Sequence, residues 1–542
     1  MEQHMKDPFA KMKKAPSLRP MWNIGAGFDI QTGKFYKGRR GEHILCGGLN
    51  HFTGVAGLPN MFKTVISLFQ LGSVMNRIAC AIMMAHDSEN TLSVKRIHDI
   101  FSQFENLFGK DLVDLCRLAF SDATVYNGNE WWNFIREYSA DRRSDKEIMI
   151  TTPFVDDSTG EYVKIPTPTL AFLDSLSGLQ TEGIMAMYEK SDVGHKDLNM
   201  VAMKGAGAKS QLIDQVTGVT SSSGVHLLMT AHVGQEYQLD MYKPNVKKLK
   251  FLKGDLKLKK VPENFSFLTA NCWYCVHLSP MLNDKMPEYP RNSDDDLKGD
   301  TDLICITLVN LRGKSGPSGI PYDVVVSQSE GVKPELTEFN YCKGYDYYGI
   351  SDKEGKNAKG KQYYRLDLYP ERILQRTTVR SLLEDDYRLA RAMNITAELC
   401  MMRNLWHDME EGLYCHPREL YNDITAKGYD WELLMDTRGY WVPLEEESDQ
   451  KYPFLSSMDM LNIRAGTYHP YWYDEAKALK DKQAGNPHSL TKAQVSLGSA
   501  QVATTAEAAG AEAVTAVVNP AALKAALAAK MANKAARTAQ AA

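Results

Sequence analysis

The sequence has no apolar run long enough to cross a bilayer, and its opening residues, Met1-Glu2-Gln3-His4-Met5-Lys6, lack the apolar centre of a secretory leader. A protein without a membrane span that stays in the cytoplasm is expected. Cysteine is sparse: nine in 542 residues, an odd number, which excludes a disulfide framework and points to a reduced setting. One pair, in Cys272-Trp273-Tyr274-Cys275 with His277 close by, has metal or redox spacing. No second pair stands at finger spacing, and residues 265–278 read as a strand, so buried strand cysteines are expected there. Charge of one sign is lacking too. A net charge of −4 argues against a surface that is basic all over and binds nucleic acid indiscriminately. Large apolar side chains are scarce in residues 484–542, where alanine dominates and little can be buried. A disordered tail is expected, basic near its end at Lys524, Lys530, Lys534 and Arg537.

Apolar residues make up 44% of the chain, enough for one large domain with additions. Residues 1–40 read as a polar, basic arm containing Pro16 and Pro20. Residues 41–350 read as an α/β core with a mainly parallel twisted sheet. Within it, residues 101–165, with Trp131-Trp132 and Phe134, read as an inserted subdomain. Residues 284–301 are an acidic, proline-bearing loop, and residues 353–361 a glycine- and lysine-rich hairpin tip. Residues 365–475 read as a helical C-terminal domain. Ser381-Leu382-Leu383-Glu384 has a capping-box pattern, and Leu382, Leu383, Leu389 and Met393 fall near one helical face. Pro417 suits a first helical turn, and Gly428 suits the position after a last one.

Four segments carry the chemistry. Gly57-Leu58-Pro59-Asn60-Met61-Phe62-Lys63-Thr64 is close to the phosphate cradle G-x-x-x-x-G-K-[ST], with Phe62 in place of the second glycine. Gly57 allows a tight turn that brings backbone N–H groups to phosphates. Lys63 is placed to reach the outer phosphates, and the Thr64 hydroxyl to join a Mg2+ shell. The apolar Val65, Ile66, Leu68, Phe69 and Leu71 suit a buried helix whose N-terminus faces the anion. The other three are apolar strands that stop at polar residues. They are 82–89, ending His86-Asp87-Ser88-Glu89; 169–175, ending Asp174-Ser175; and 225–232, ending His232. A parallel sheet would deliver all four strand ends to one edge.

A fifth segment is basic. Lys243, Lys247, Lys248, Lys250, Lys253, Lys257, Lys259 and Lys260 crowd one stretch with only Asp255 against them, and Tyr242 and Phe251 are interleaved. Lysines among rings suit single-stranded nucleic acid, where phosphates meet charge and bases stack.

In the order and spacing of these segments, residues 25–350 resemble the RecA-type strand-exchange recombinases, and the RecA/UvsX-like phage branch in particular. Phe in the loop, the Asp-Ser-Glu after the next strand and a His at 232 all fit that branch. So does Leu311-Arg312-Gly313-Lys314-Ser315-Gly316-Pro317-Ser318-Gly319, followed by Tyr322-Asp323-Val324-Val325-Val326 and Glu330-Gly331-Val332. The resemblance implies a RecA-like P-loop ATPase core that uses ATP and Mg2+, held by Gly57, Pro59, Asn60, Met61, Phe62, Lys63, Thr64 and Asp174. Thr64 and Asp174 would hold the metal. Glu89 would polarise the attacking water, with Asp87 as the alternative, and His232 would sense the outer phosphate. Arg312 and Lys314 would reach a neighbouring subunit's nucleotide. Lys247, Lys248, Lys250, Lys253 and Lys257 would lie in the second DNA-binding loop, and residues 189–203 in the first. The implied activity is ATP-dependent pairing and strand exchange on single-stranded DNA in phage recombination or repair, inside the host cytoplasm. The implied assembly is a helical filament, with a hexameric ring as the other homo-oligomer. A recombination mediator or a single-strand-binding protein would be a partner.

Some features depart from that pattern. Lys95-Arg96 occupy the place of an adenine-stacking aromatic, the tail is not acidic, and the helical C-terminal domain has no counterpart. Two other readings remain. A DnaB-type replicative helicase shares the core and an arginine hairpin that residues 312–319 also resemble, although only about fifty residues precede the loop here. A non-catalytic filament or scaffold protein would account for Phe62.

Overall fold

The structure, a computed structural model, describes residues 17–190, 199–220, 222–235, 251–252, 256–351, 363–406, 409 and 413–485. It is a mixed α/β fold built on a ten-stranded, mostly parallel sheet. In chain order the main strands are β1 (Phe52–Gly57), β2 (Ile82–Asp87), β3 (Leu118–Asp122), β4 (Thr169–Asp174), β5 (Val225–Gln235), β6 (Asn271–Pro280), β7 (Leu303–Gly313), β8 (Pro321–Ser327) and β9 (Gly331–Val332). Across the sheet they lie in the order β9-β8-β7-β6-β1-β5-β4-β2-β3. From β6 to β3 every neighbouring pair is parallel. From β6 to β9 every pair is antiparallel. A short strand, Leu256–Leu258, pairs with the far end of β5.

Burial explains the parallel block. Every residue of β1 and β4 is buried, as expected of strands covered on both faces and rich in apolar side chains. Successive residues of β6 alternate between two apolar clusters, one on each face: Trp273 and Cys275 join the first, Cys272 and Tyr274 the second. The first face is covered by α1 (Lys63–Arg77), through side chains such as Leu68 and Phe69. The second is covered by α2 (Gly128–Ser144), through Trp131, Trp132 and Ile135, and by the end of α3 (Asn199–Asp214), through Leu212 and Ile213.

Two regions expected as additions belong to this body. Residues 101–165 supply the edge strand β3 and the core helix α2, together with a small hairpin of Met149–Val155 and Tyr162–Pro166. Their aromatic pair, Trp131-Trp132, fills the second cluster and does not decorate the outside. Residues 17–40, the described part of the expected arm, pack into the body. Met21, Trp22, Ile24, Phe28 and Ile30 are core residues. Trp22 stacks on Trp441 with ring centres 4.6 Å apart, and its Nε1 donates to His226 Nε2 at 3.0 Å. The polar look of this stretch came from its flanks, while its few apolar residues were the ones that pack.

The C-terminal part is helical, as expected, and shares the first cluster with the sheet through α4 (Tyr387–Leu405) and Ser457–Ala465. Pro417 does begin a helix, Pro417–Ala426, and Gly428 follows its end with φ +84°. The capping pattern at Ser381 is corrected: Ser381 lies inside the helix Val379–Asp385 and donates back to Thr378 O at 3.2 Å. The cap that operates is Asp386, whose carboxylate accepts from Leu389 N and starts α4. The hairpin tip expected at 353–361 and nearly all of the tail from 484 lie outside the described residues. No described helix is long and apolar enough to cross a membrane.

Candidate active site

β1, β2 and β4 end at the same edge of the sheet, and β5 runs past it. In register, Gly57 faces His232 and Asp87 faces Asp174. The loop from Leu58 to Phe62 then leads into α1, whose first residues are Lys63 and Thr64. Among the described residues no side chain caps this helix, and no acidic residue lies in its first turn. Its N-terminal N–H groups and positive dipole end therefore face the edge without a neutralising group of their own. Phe62, at the position of the missing glycine, has φ +53°. The left-handed backbone that makes glycine usual there is retained, at a cost of about 1–2 kcal/mol for an L side chain. Packing of the partly buried ring against the first cluster offsets that cost.

The Lys63 ammonium folds back over the loop and donates to Leu58 O at 2.9 Å. Burial lowers its pKa, against the pull of Asp174 and Glu89. Thr64 Oγ1 donates to Asp174 Oδ2 at 2.5 Å, and Thr230 Oγ1 donates to Asp174 Oδ1 at 2.5 Å. Burial raises the Asp174 pKa, and these two hydroxyls partly counter it. A hydroxyl and a carboxylate side by side fit a Mg2+ that completes its shell with phosphate oxygens and water. Among the described residues no group of three His, Cys, Asp or Glu side chains gathers into an all-protein cage.

Glu89 and Asp87, the two candidates for the water-activating carboxylate, have different surroundings. Both oxygens of the fully buried Asp87 accept backbone N–H groups: Glu89 N at 2.8 Å, Thr91 N at 2.5 Å and Leu92 N at 2.6 Å. Asp87 organises the turn. Glu89 is partly exposed, and its Oε1 accepts from His232 Nε2 at 2.7 Å and from the Ser175 hydroxyl. These bonds, the one from His232 foremost, lower its pKa to about 2. An ionised acceptor requires the proton on Nε2 of His232. Gly178 lies against this group: a Cβ there would meet Glu89 Cγ and Ser88 Oγ at 2.8 Å.

The structure does not bring Arg312 and Lys314 to this edge. β7 runs antiparallel to β6, so Arg312 pairs with Cys272, beside Gly54 near the start of β1, whereas Gly57 pairs with Cys275. The basic pair therefore lies at the opposite edge. Arg312 holds its guanidinium 5.7 Å from the ring centre of Phe267, which is 53% exposed. Lys314 is largely exposed, and its pKa is lowered by what burial it has and by Arg312 and Arg19. Arg96, in the place of an adenine-stacking aromatic, donates to Gln328 O at 3.0 Å and Ser329 O at 3.3 Å.

Of the DNA-binding lysines, Lys247, Lys248, Lys250 and Lys253 lie outside the described residues, as do Tyr242 and residues 191–198 of the first expected loop. Lys257 is exposed on the strand Leu256–Leu258, which pairs with β5 just beyond His232. Phe251 is not a free stacking ring. It packs with buried Leu252 on the second cluster, close against Gly319. Cys272 and Cys275 project to opposite faces of β6, and burial pushes both thiols up to about 12, so they are structural.

Three residues join the site beyond those expected: Ser175, named above only as part of a strand end; Thr230, on Asp174; and Lys209, which donates to the Leu176 and Ser177 carbonyls just past Asp174. Thr230 shares a face of β5 with His232 by simple alternation, a signal that was present. Lys209, in a helix of mixed character, offered none. No family model matches this sequence, and no curated protein matches it.

Proposed function

We propose that this chain is an ATP hydrolase that acts with single-stranded DNA as a strand-exchange recombinase, assembling as a homo-oligomeric filament. The observation that carries the reading is the meeting of Lys63, Thr64, Asp174, Glu89 and His232 at one sheet edge, next to an uncapped helix N-terminus. Each group there suits a part of phosphoryl transfer, which needs orientation and charge neutralisation more than covalent help. The loop backbone and the start of α1 receive the phosphates. Lys63 exchanges the Leu58 carbonyl for an outer phosphate oxygen. Thr64 and Asp174 would hold Mg2+, which when bound would supply positive charge against the phosphates.

Glu89 orients and polarises the attacking water. With the His232 bond in place it is a weak base, because its pKa is about 2. A phosphate oxygen at the same edge competes for the His232 Nε2 proton and frees Glu89. His232 thereby reports the outer phosphate to the segment that follows β5, where the lysines lie. Arg312 and Lys314 lie on the opposite edge, and in this reading they would serve a neighbour's site. The cytoplasm of a phage-infected cell is the setting this reading implies, with a mediator or single-strand-binding protein as its helper.

The reading is tested by incubating the protein with ATP, Mg2+ and single-stranded DNA, measuring phosphate release, and imaging the product. DNA-stimulated release with continuous helical filaments is the expected result. Closed hexameric rings would replace the recombinase with a helicase, and polymers without DNA or hydrolysis would replace it with a scaffold.

A further inference from the structure

Lys209, on α3, is only 4% exposed, yet no carboxylate among the described residues pairs with it. Its ammonium donates to three main-chain carbonyls: Leu176 O at 2.7 Å, Ser177 O at 3.0 Å and Lys260 O at 3.3 Å. A buried cation without a counterion is a costly arrangement, and an apolar residue at such a site would normally be the more stable choice. Burial, with Lys260 nearby, lowers its pKa to about 8.

What it holds leads directly to the active site. Leu176 and Ser177 form the turn after β4, immediately beyond Asp174 and Ser175. The Ser177 hydroxyl accepts from His232 N at 2.8 Å and donates to Lys259 O at 2.9 Å. Lys259 N in turn donates to His232 O at 2.7 Å. Both main-chain groups of His232 are thus tied to the two segments that Lys209 clamps. The His232 ring then reaches Glu89. α3 is also fastened by Asn264, whose amide donates to Ser210 O at 3.1 Å and Asp214 Oδ1 at 2.6 Å.

We infer that Lys209 is a positioning residue for the His232–Glu89 pair: it couples the placement of α3 to that contact through the Leu176–Ser177 turn. The inference rests on the proposed hydrolase, but its geometry has its own readout. Lys209 touches neither the phosphate loop nor Glu89, so its loss should leave nucleotide affinity in place. Any contact that shifts α3 would alter the hydrogen bond that holds Glu89.

The test compares Lys209→Met, Lys209→Arg and Ser177→Ala with the unmodified full chain. The first readout is the imidazole signal of His232 by NMR with labelled histidine, assigned by its loss in His232→Asn. Lys209→Met and Ser177→Ala should both move that signal, and Lys209→Arg should return it toward its original position. The second readout is ATP turnover. Lys209→Met should lower kcat by about tenfold with KM within about twofold, and the double variant should be no worse than either single one, since both cut one connection. A merely structural lysine would instead reduce the folded fraction and leave the His232 signal of the folded molecules in place. An unmoved signal in folded Lys209→Met overturns the inference, and Lys209→Gln, whose shorter side chain cannot span all three carbonyls, is read the same way if Lys209→Met does not fold. A moved signal in a chain that hydrolyses no ATP would uphold the coupling while removing the proposed hydrolase.

Discussion

The two ends of β1, about 20 Å apart at the rise of a strand, face very different chemistry. At the Gly57 end, hydroxyls and one histidine bond two carboxylates, and one lysine bonds the loop carbonyl of Leu58. At the Phe52 end, Arg312, Lys314 and Arg19 make a basic rim that no carboxylate among the described residues balances, and Arg312 rests on an exposed ring. His51 lies in the same rim, where burial and the neighbouring Lys314 and Arg19 lower its pKa to about 4. At the first edge the Asp174 and Glu89 carboxylates are each held by hydroxyl or imidazole donors. The other carries an excess of positive charge, which suits contact with something outside the chain. If copies stack head to tail, the second edge of one faces the first edge of the next, and the complementary signs meet.

The largest effect should come from breaking the first edge. Lys63→Ala removes the ammonium held over the loop and should lower ATP turnover by about 1000-fold, read as phosphate release, since a charge aimed at the transferred group is worth that much. Glu89→Gln should slow turnover by about 100-fold or more while nucleotide still binds, the scale expected of a residue that handles the attacking water. Fluorescent-nucleotide binding separates the two variants. Asp87→Asn, by contrast, should lose folded stability before it loses chemistry, because its oxygens organise the turn.

Breaking the second edge should cost less and should depend on company. Arg312→Ala should depress turnover by roughly tenfold to 100-fold, below the full worth of about 1000-fold or more for a lone charge supplied in trans, because Lys314 stands beside it. Mixing Arg312→Ala with Lys63→Ala chains should restore part of it, since some interfaces would pair an intact loop with an intact arginine. No recovery at any ratio would make the opposite edge irrelevant to hydrolysis.

The contrast sharpens further along β5, where the lysines follow His232. Replacing Lys247, Lys248, Lys250 and Lys253 by glutamine should flatten the salt dependence of single-stranded DNA binding by about 0.7 in log–log slope for each phosphate no longer neutralised. DNA stimulation should fall while basal hydrolysis stays, because Lys63 and Glu89 are untouched. The smallest effect concerns pH. The Glu89 pKa is lowered from 4.5 to about 2, so its contribution to stability is complete above about pH 4.5 and is lost as pH falls toward 2. The gap in urea midpoint between the unmodified chain and Glu89→Gln should therefore be widest near neutrality and close as the solution is acidified.

Much of the first edge was legible in the sequence. Strands read as apolar runs that stop at a polar residue, and a parallel sheet sends those stops to one side, so Gly57, Glu89, Asp174 and His232 could be placed together. Phe62 was legible only as an anomaly, since its left-handed backbone is not written in the side chain. The position of Arg312 was not legible, because the direction of β7 depends on a hairpin and not on local pattern. Lys209 was hidden for a different reason: its partners are carbonyls, which every residue has. The stretch around Trp22 is polar at its flanks, which hides from the sequence that a few large side chains anchor it in the core.

In the proposed function, the Glu89 edge hydrolyses ATP under the control of single-stranded DNA. Its most direct test is phosphate release by the purified chain with ATP and Mg2+, with and without single-stranded DNA, beside Glu89→Gln. The account predicts turnover that rises severalfold with DNA and falls by about 100-fold in Glu89→Gln. Equal turnover in the two proteins, or none in the unmodified chain with DNA present, would contradict it.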